Sequence, residues 1–282
     1  MPFLEIEATS SKQETDSTRL YYQTVGEGEP IVFIHGWLCN GIFWEDFYTL
    51  KDEGYKLIIP DLRGHGKTPI GHKITIETLA DDINKLLNHL NIEKTIIIGH
   101  SMGGVVTQQF YHTYPGKVKA LGLWNTGGQI PFGYGLKGTW YYFKVIIGAL
   151  GMILAYPFKW LFSYSLTKGW ALSFYKKWKN EAYKKLAKYV RAMERRAVVK
   201  SAGTLRKFKG IEKLSEIDVP VMLLHGKEDK YITPKIMIKK LEQELPESKS
   251  YYIEEAAHFP PNEKPEEVLD CLRDFLETLE KQ

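Results

Sequence analysis

Cysteine is nearly absent from this chain of 282 residues, which holds only Cys39 and Cys271. The two lie far apart and match no metal-binding or redox spacing, so a disulfide framework is not expected and no metal site is read from them. Long apolar runs are missing as well. No stretch reaches the roughly 18 residues that suggest a membrane-spanning helix; the segment Val145–Phe158 is apolar but is interrupted by Gly148, Gly151 and Pro157. The opening Met-Pro-Phe-Leu-Glu-Ile-Glu has no basic run followed by an apolar core, so no secretory leader is expected and the cytoplasm is the default compartment. Heptads, internal repeats and low-complexity segments are also lacking, which argues against a coiled coil or a solenoid.

Charge is unevenly spread along the chain. Residues 131–210 hold 17 Lys and Arg against two acids, Glu181 and Glu194, so this segment is +15 in a chain whose net charge is +4, and the remainder is −11. The same segment carries 18 of the 37 aromatic residues, Trp140, Tyr141, Tyr142, Phe143, Trp160, Phe162, Trp170, Phe174 and Trp178 among them. With 44% hydrophobic residues overall, the chain is long enough to bury a substantial core as one large α/β domain or a domain with an insertion.

Strand and helix signals alternate on either side of that segment. Phe3 to Glu7 and Arg19 to Thr24 read as short strands joined by a polar connection. Pro30 to His35 is apolar enough for a strand buried on both faces, and it runs into His35-Gly36-Trp37-Leu38. Tyr55 to Pro60 is the next strand, leading into Asp61-Leu-Arg-Gly-His-Gly-Lys67, a tight loop in which Asp61 and Arg63 are expected to pair. Ile76, Leu79, Ile83, Leu86, Leu87 and Leu90 recur at helical spacing, as in an amphipathic crossover helix. Thr95 to Ile98 reads as a buried strand, Met102 to about Tyr114 as a helix, and Val118 to Trp124 as a strand ending at Asn125.

The alternation breaks between about Pro131 and Gly210. It resumes with a strand over Val219 to Leu224, which ends in His225-Gly-Lys-Glu-Asp229, and a helix over Lys235 to Leu245. A strand over Ser250 to Ile253 then precedes Glu254-Glu-Ala-Ala-His258, and a final helix runs from Pro265 to about Leu279. Strands joined by helical crossovers imply a mostly parallel sheet covered on both faces.

Between the strand at Thr95 and the helix at Met102 sits Gly99-His100-Ser101-Met102-Gly103, the pattern G-x-S-x-G. A nucleophilic hydroxyl must stand clear of the sheet on a strained strand-to-helix turn, and glycines two residues to either side let neighbouring backbone pass close. Ser101 is therefore the expected nucleophile. The glycine at the end of the Pro30 strand opens a loop whose N–H groups can face a crevice, so the backbone N–H of Trp37 and that of Met102 are assigned as the two oxyanion donors. The His35 side chain is expected to be structural.

The order of Ser101, Asp229 and His258, each just beyond a strand end, resembles the α/β-hydrolase fold. The resemblance rests on His35-Gly36, Asp61-x-Arg63-Gly64-x-Gly66, Gly99-x-Ser101-x-Gly103, Gly226-x-x-Asp229 and Ala257-His258, and it covers nearly the whole chain apart from the insertion. It implies an eight-stranded, mostly parallel sheet with helices on both faces. Residues 1–130 and 211–282 would form the core domain, and residues 131–210 a helical cap inserted after the sixth strand. His258 would take the Ser101 proton and return it to the leaving group, while Asp229 holds the imidazole tautomer. Glu228 and Asp218 are alternative acids and His225 an alternative base. Some family members carry the acid after the sixth strand, where this chain has Asn125, which cannot carry the charge.

Haloalkane dehalogenases and epoxide hydrolases of this fold use aspartate at the elbow, so Ser101 implies acyl transfer. The stretch His35 to Trp44 is similar to carboxylesterases and to cofactor-free haloperoxidases. The expected activity is that of a serine carboxylesterase, lipase-like in its preference for hydrophobic acyl esters, using no cofactor and no metal. Gly36, Leu38, His100, Trp140 and Phe259 are expected to line the substrate pocket. Perhydrolase or haloperoxidase-type chemistry on the same residues, and a non-catalytic binding module, are the other readings. No nucleic-acid motif accompanies the basic surface. The segment's apolar faces are expected to pack on the core and line an acyl pocket with its lysines solvated; the alternative reading is docking on anionic membrane, with lysines such as Lys176, Lys177, Lys179, Lys184 and Lys185 meeting headgroups.

Overall fold

Strands buried on both faces set the architecture. In the computed structural model, which describes residues 3–6, 18–71, 73–128, 188–189, 193–229 and 235–281, β1 (Phe3–Ile6), β2 (Thr18–Val25), β3 (Glu29–Ile34), β4 (Tyr55–Pro60), β5 (Thr95–His100), β6 (Val118–Trp124), β7 (Val221–Gly226) and β8 (Lys249–Ile253) form one sheet in the order β1-β2-β4-β3-β5-β6-β7-β8. Every residue of β5 and β7 is buried, as a central strand covered by helices on both sides requires. Ile96, Ile97 and Ile98 are almost wholly enclosed, each worth about 1.5–3 kcal/mol of burial. From β4 across to β8 all neighbours are parallel; β1 with β2 and β2 with β4 are antiparallel.

Register decides what the sheet presents at its carboxyl edge. Ile34 pairs with Gly99, His100 with Trp124, Trp124 with Leu224, and Gly226 with Ile253. The chain therefore leaves β3, β5, β6, β7 and β8 at nearly one level, and the loops that follow converge.

Helix α1 (Ile76–His89) starts at a capping box between Thr75 and Thr78 and buries Ile76, Leu79, Ile83, Leu86 and Leu87, the stripe its periodicity predicts. It packs on α2 (Met102–Thr113). Gly41–Glu53, which has no strand or helix periodicity, is a run of 3₁₀ turns capped by the Asn40 side chain and buries Phe43, Trp44, Phe47 and Leu50. Helices α3 (Arg195–Leu205), α4 (Lys235–Glu244), α5 (Pro260–Glu263) and α6 (Pro265–Glu280), with short 3₁₀ turns at Pro115–Lys117 and Ile211–Glu216, complete the described elements. β7 starts two residues later than its apolar run suggests, after Pro220, which has no N–H for a ladder.

One expected pairing is not made. Arg63 reaches past its own loop to α1, its Nε donating to Asp82 Oδ2 at 2.5 Å and its Nη2 to Asp82 Oδ1 at 2.8 Å. Asp61 instead accepts from the backbone N–H groups of Gly41 at 2.6 Å and Lys67 at 2.8 Å. The reason is geometric: backbone donors already surround the Asp61 carboxylate inside its turn, and a guanidinium meets a carboxylate best as a planar fork, which Asp82 across the interface presents.

Cys39 is buried, Cys271 is half-buried, and both are free thiols. Tyr189, Met193, Ala197 and Val198, which follow most of the basic segment, are buried in the same cluster as the sheet residues. Among the described residues no helix is long and apolar enough to cross a membrane. Trp140, most of the segment assigned to a cap and the lysines from Lys176 to Lys185 lie outside the described residues.

Candidate active site

β5 ends at His100 and α2 begins at Met102, so the whole change of direction falls on Ser101, whose φ is 53° and ψ −114°. A non-glycine residue held there stores about 1–3 kcal/mol of strain, and only close packing keeps it in place. The flanking glycines supply that packing. A Cβ on Gly99 would lie 2.3 Å from the Gly103 carbonyl oxygen, and one on Gly103 would lie 2.1 Å from that of Ile34. The Thr126 hydroxyl donates to the Ser101 carbonyl at 2.7 Å, and the Ser101 N–H donates to the Trp124 carbonyl at 2.9 Å.

Asp229 lies just past β7 and His258 past β8. Ser101 Oγ and His258 Nε2 are 3.0 Å apart, and His258 Nδ1 and Asp229 Oδ2 are 2.7 Å apart. A carboxylate can only accept, so Nδ1 carries the proton and Nε2 is left to accept from the serine hydroxyl. His258 and Asp229 are both buried. The structure thus brings together the three residues that are 128 and 29 positions apart in the chain, and neither Glu228, Asp218 nor His225 takes a place in this chain of bonds: the Asp218 carboxylate accepts from the Tyr111 hydroxyl at 2.5 Å, and the buried His225 ring lies edge-on to Tyr252.

The loop after β3 reaches the elbow. A Cβ on Gly36 would lie 3.2 Å from Ser101 Cβ and 2.9 Å from His100 Nδ1, so the residue before Trp37 must be glycine for the loop to lie this close. Leu38 takes a left-handed φ of 66°, and Cys39 N–H returns to the Gly36 carbonyl at 3.2 Å. The Trp37 indole N–H donates to the Val198 carbonyl of α3 at 3.2 Å, which fastens this loop to the end of the basic segment. Met102 is the first residue of α2, where backbone N–H groups have no partner within the helix. Gly36, the residue before Trp37, lies against Ser101, and Met102 follows it in the chain.

The histidines around the site are held neutral. His35 Nε2 accepts from the Leu62 N–H at 3.0 Å, so its Nδ1 donates to the Gly36 carbonyl at 2.8 Å, and burial lowers its pKa to about 4. It is a strut between two loops. His100 donates from Nε2 to the His258 carbonyl at 2.6 Å; burial first, and the neighbouring His258 second, lower its pKa to about 3. Its ring lies against Phe43 and Phe259. Gly36, Leu38, His100 and Phe259, expected as pocket residues, are all buried, and His100 holds the backbone carbonyl of His258.

Two contributors escaped the sequence reading as positive features. Asn125 Nδ2 donates to Asp229 Oδ2 at 3.0 Å and to the Ala257 carbonyl at 3.1 Å. The buried Glu263 carboxylate accepts from the Ala257 N–H. A polar pair, Asn125-Thr126, at the carboxyl end of a central parallel strand was the available signal for the first; nothing in the sequence marks the second.

The family model described as alpha/beta hydrolase fold matches residues 29–265. A non-heme chloroperoxidase of Kitasatospora aureofaciens is 43% identical over 91 residues, 32% of this chain and 33% of that protein, and a soluble epoxide hydrolase of Corynebacterium is 34% identical over 114 residues, 39% and 38%. These matches span about a third of the first relative and under two fifths of the second. Among solved structures, an esterase of Thermogutta terrifontis is similar over 99% of both chains with a TM-score of 0.83 and 23% identity, and a carboxylesterase of Nitrososphaera gargenis over 99% of both with a TM-score of 0.80 and 25% identity. With its strand order, its elbow at Ser101 and a family match over most of its length, the chain belongs to the alpha/beta hydrolase fold family.

Proposed function

We propose that this protein is a serine hydrolase that cleaves carboxylic esters of hydrophobic acyl groups through an acyl-enzyme. The observation that carries the reading is the hydrogen-bonded chain from Ser101 Oγ through His258 to Asp229. As Ser101 Oγ attacks the ester carbonyl carbon, its proton passes to His258 Nε2, and Asp229 stays ionised to stabilise the imidazolium. The carbonyl oxygen becomes an oxyanion, received by the N–H groups of Trp37 and Met102, each worth about 3 kcal/mol of barrier. Collapse expels the alcohol, which takes the Nε2 proton. Water then repeats the sequence against the acyl-enzyme, releasing the acid and restoring Ser101. The aromatic-rich residues 131–210 would serve as the cap that lines the acyl pocket.

Peroxide in place of water is the second reading, favoured by the likeness to a protein named non-heme chloroperoxidase. Hydrogen peroxide would attack the acyl carbon and leave as a peracid, with the serine hydroxyl restored.

Labelling by a fluorophosphonate and turnover of p-nitrophenyl esters of increasing acyl length test the proposal. Both are expected in the wild type, with turnover falling by on the order of 10⁴–10⁶ in Ser101→Ala. A wild type that neither labels nor turns over would put a binding module in first place. Peracid formation from peroxide and a short carboxylic acid would favour the second reading.

A further inference from the structure

We infer that Asn125 is a positioning residue of this site, one that aims Asp229 at His258 and sets how strongly the carboxylate polarises the ring; the inference rests on the serine hydrolase reading. Asn125 follows β6, between β5, which delivers Ser101, and β7, which delivers Asp229. Its side chain is fully buried and satisfied on both ends. Nδ2 donates to Asp229 Oδ2 at 3.0 Å and to the Ala257 carbonyl at 3.1 Å, while Oδ1 accepts from the Gly226 N–H at 3.2 Å. The Asp229 oxygen it reaches is the same one that accepts from His258 Nδ1 at 2.7 Å.

One amide thus ties together the end of β7, the carboxylate and the residue before His258. Its neighbours tie in the nucleophile, since Thr126 binds the Ser101 carbonyl and Trp124 accepts the Ser101 N–H. Asn125 also has a left-handed φ of 41°, a conformation that asparagine, aspartate and glycine tolerate better than other residues. An asparagine serving only the backbone would have no need to direct a donor at a carboxylate.

The chemical consequence follows from sharing one acceptor oxygen. A donor on Oδ2 draws charge away from the bond to His258; without it the carboxylate stabilises the imidazolium more, while its orientation is no longer fixed. Among the described residues, His100 at the end of β5 and His225 on β7 interact with the pair, and Glu263 on α5 binds the Ala257 N–H beside it.

The test compares the full-length wild type with Asn125→Gly and Asn125→Asp. Glycine accepts the backbone angle and removes the amide. Aspartate keeps the shape and the acceptor for Gly226 but replaces the donor by a second carboxylate. Both are read by kcat and KM for a p-nitrophenyl ester across pH, fluorophosphonate labelling, and thermal unfolding. In Asn125→Gly, kcat should fall roughly 10- to 100-fold, the value of one charge-assisted hydrogen bond, with KM within about twofold because substrate is not touched. The acid limb of the pH profile should move to higher pH, and further in Asn125→Asp, where a negative charge is added beside the pair. Loss of kcat in both variants with an unmoved acid limb would overturn the inference, as would unchanged kcat and limb. Should Asn125→Gly fail to fold, the limb of Asn125→Asp decides alone. Absence of labelling and turnover in the wild type would instead defeat the hydrolase reading, and this inference with it.

Discussion

Gly103→Ala sets two physical effects of opposite sign against each other. The residue lies in the first turn of α2, where exchanging glycine for alanine should stabilise a helix by about 1 kcal/mol. Its surroundings oppose that. The new Cβ would lie 2.1 Å from the Ile34 carbonyl oxygen and 2.8 Å from that of His35, and contacts under 3.0 Å are essentially never made by real Cβ atoms. Both neighbours are backbone at the end of β3 and cannot rotate away, so strand and helix must separate by about 1 Å, an overpacking cost at the upper end of the usual 1–3 kcal/mol. The net expectation is a loss of about 2 kcal/mol. Because α2 carries the elbow, a shift of that size should also lower ester turnover about 100-fold. Gly203→Ala in α3 is the control: nothing lies within 4 Å of its Cβ position, so there propensity acts alone and the variant should gain about 1 kcal/mol. Urea unfolding followed by tryptophan fluorescence gives both stabilities, and p-nitrophenyl ester hydrolysis the activity. A Gly103→Ala protein as stable and as active as the wild type would refute the argument that backbone contact, and not helix propensity, governs this position.

Two further expectations concern buried charge. Arg63→Met should cost about 3–5 kcal/mol, because Asp82, almost wholly enclosed, loses its bidentate partner, whereas Arg63→Met with Asp82→Leu should recover most of that loss; equal losses in the single and double variants, measured by urea unfolding, would contradict this. Stability should also fall in acid. The folded-state pKa values of His35, His65 and His100 are lowered by burial to about 4, 3 and 3 from 6.5, so the unfolded chain binds protons first. Their contribution is complete above pH 6.5 and is lost as pH falls toward 3, by about 2 kcal/mol per histidine at pH 5. A melting temperature that stays level between pH 7 and pH 5 would rule this out.

Several features were legible because a single local constraint dictates them. A serine that must stand on a turn at φ 53° needs glycine on both sides where backbones pass at contact distance, so Gly99-x-Ser101-x-Gly103 announces both the turn and its packing. The stripe of Ile76, Leu79, Ile83, Leu86 and Leu87 announces a helix face for the same kind of reason. The pairing of Arg63 was misread because proximity in sequence suggested Asp61, while the partner is set by α1 lying across the loop. Asn125 looked like an acid position without an acid. Its role as a donor to Asp229 needs β6 and β7 side by side to be seen at all.

What the amino-acid sequence determined alone is therefore local and periodic: the strands, the main crossover helices, the elbow at Ser101, and the order in which Ser101, Asp229 and His258 leave the chain. Such features arise from side-chain alternation, backbone sterics and turn chemistry, all of which act over a few residues. Distances across the sheet belong to the tertiary structure. Only the register of β5, β6, β7 and β8 brings His258 to 3.0 Å from Ser101 and 2.7 Å from Asp229, seats Asn125 against the same carboxylate, and lays the Gly36 loop against the elbow. Those contacts join residues on different strands, and the parallel ladder and its covering helices decide which strands become neighbours.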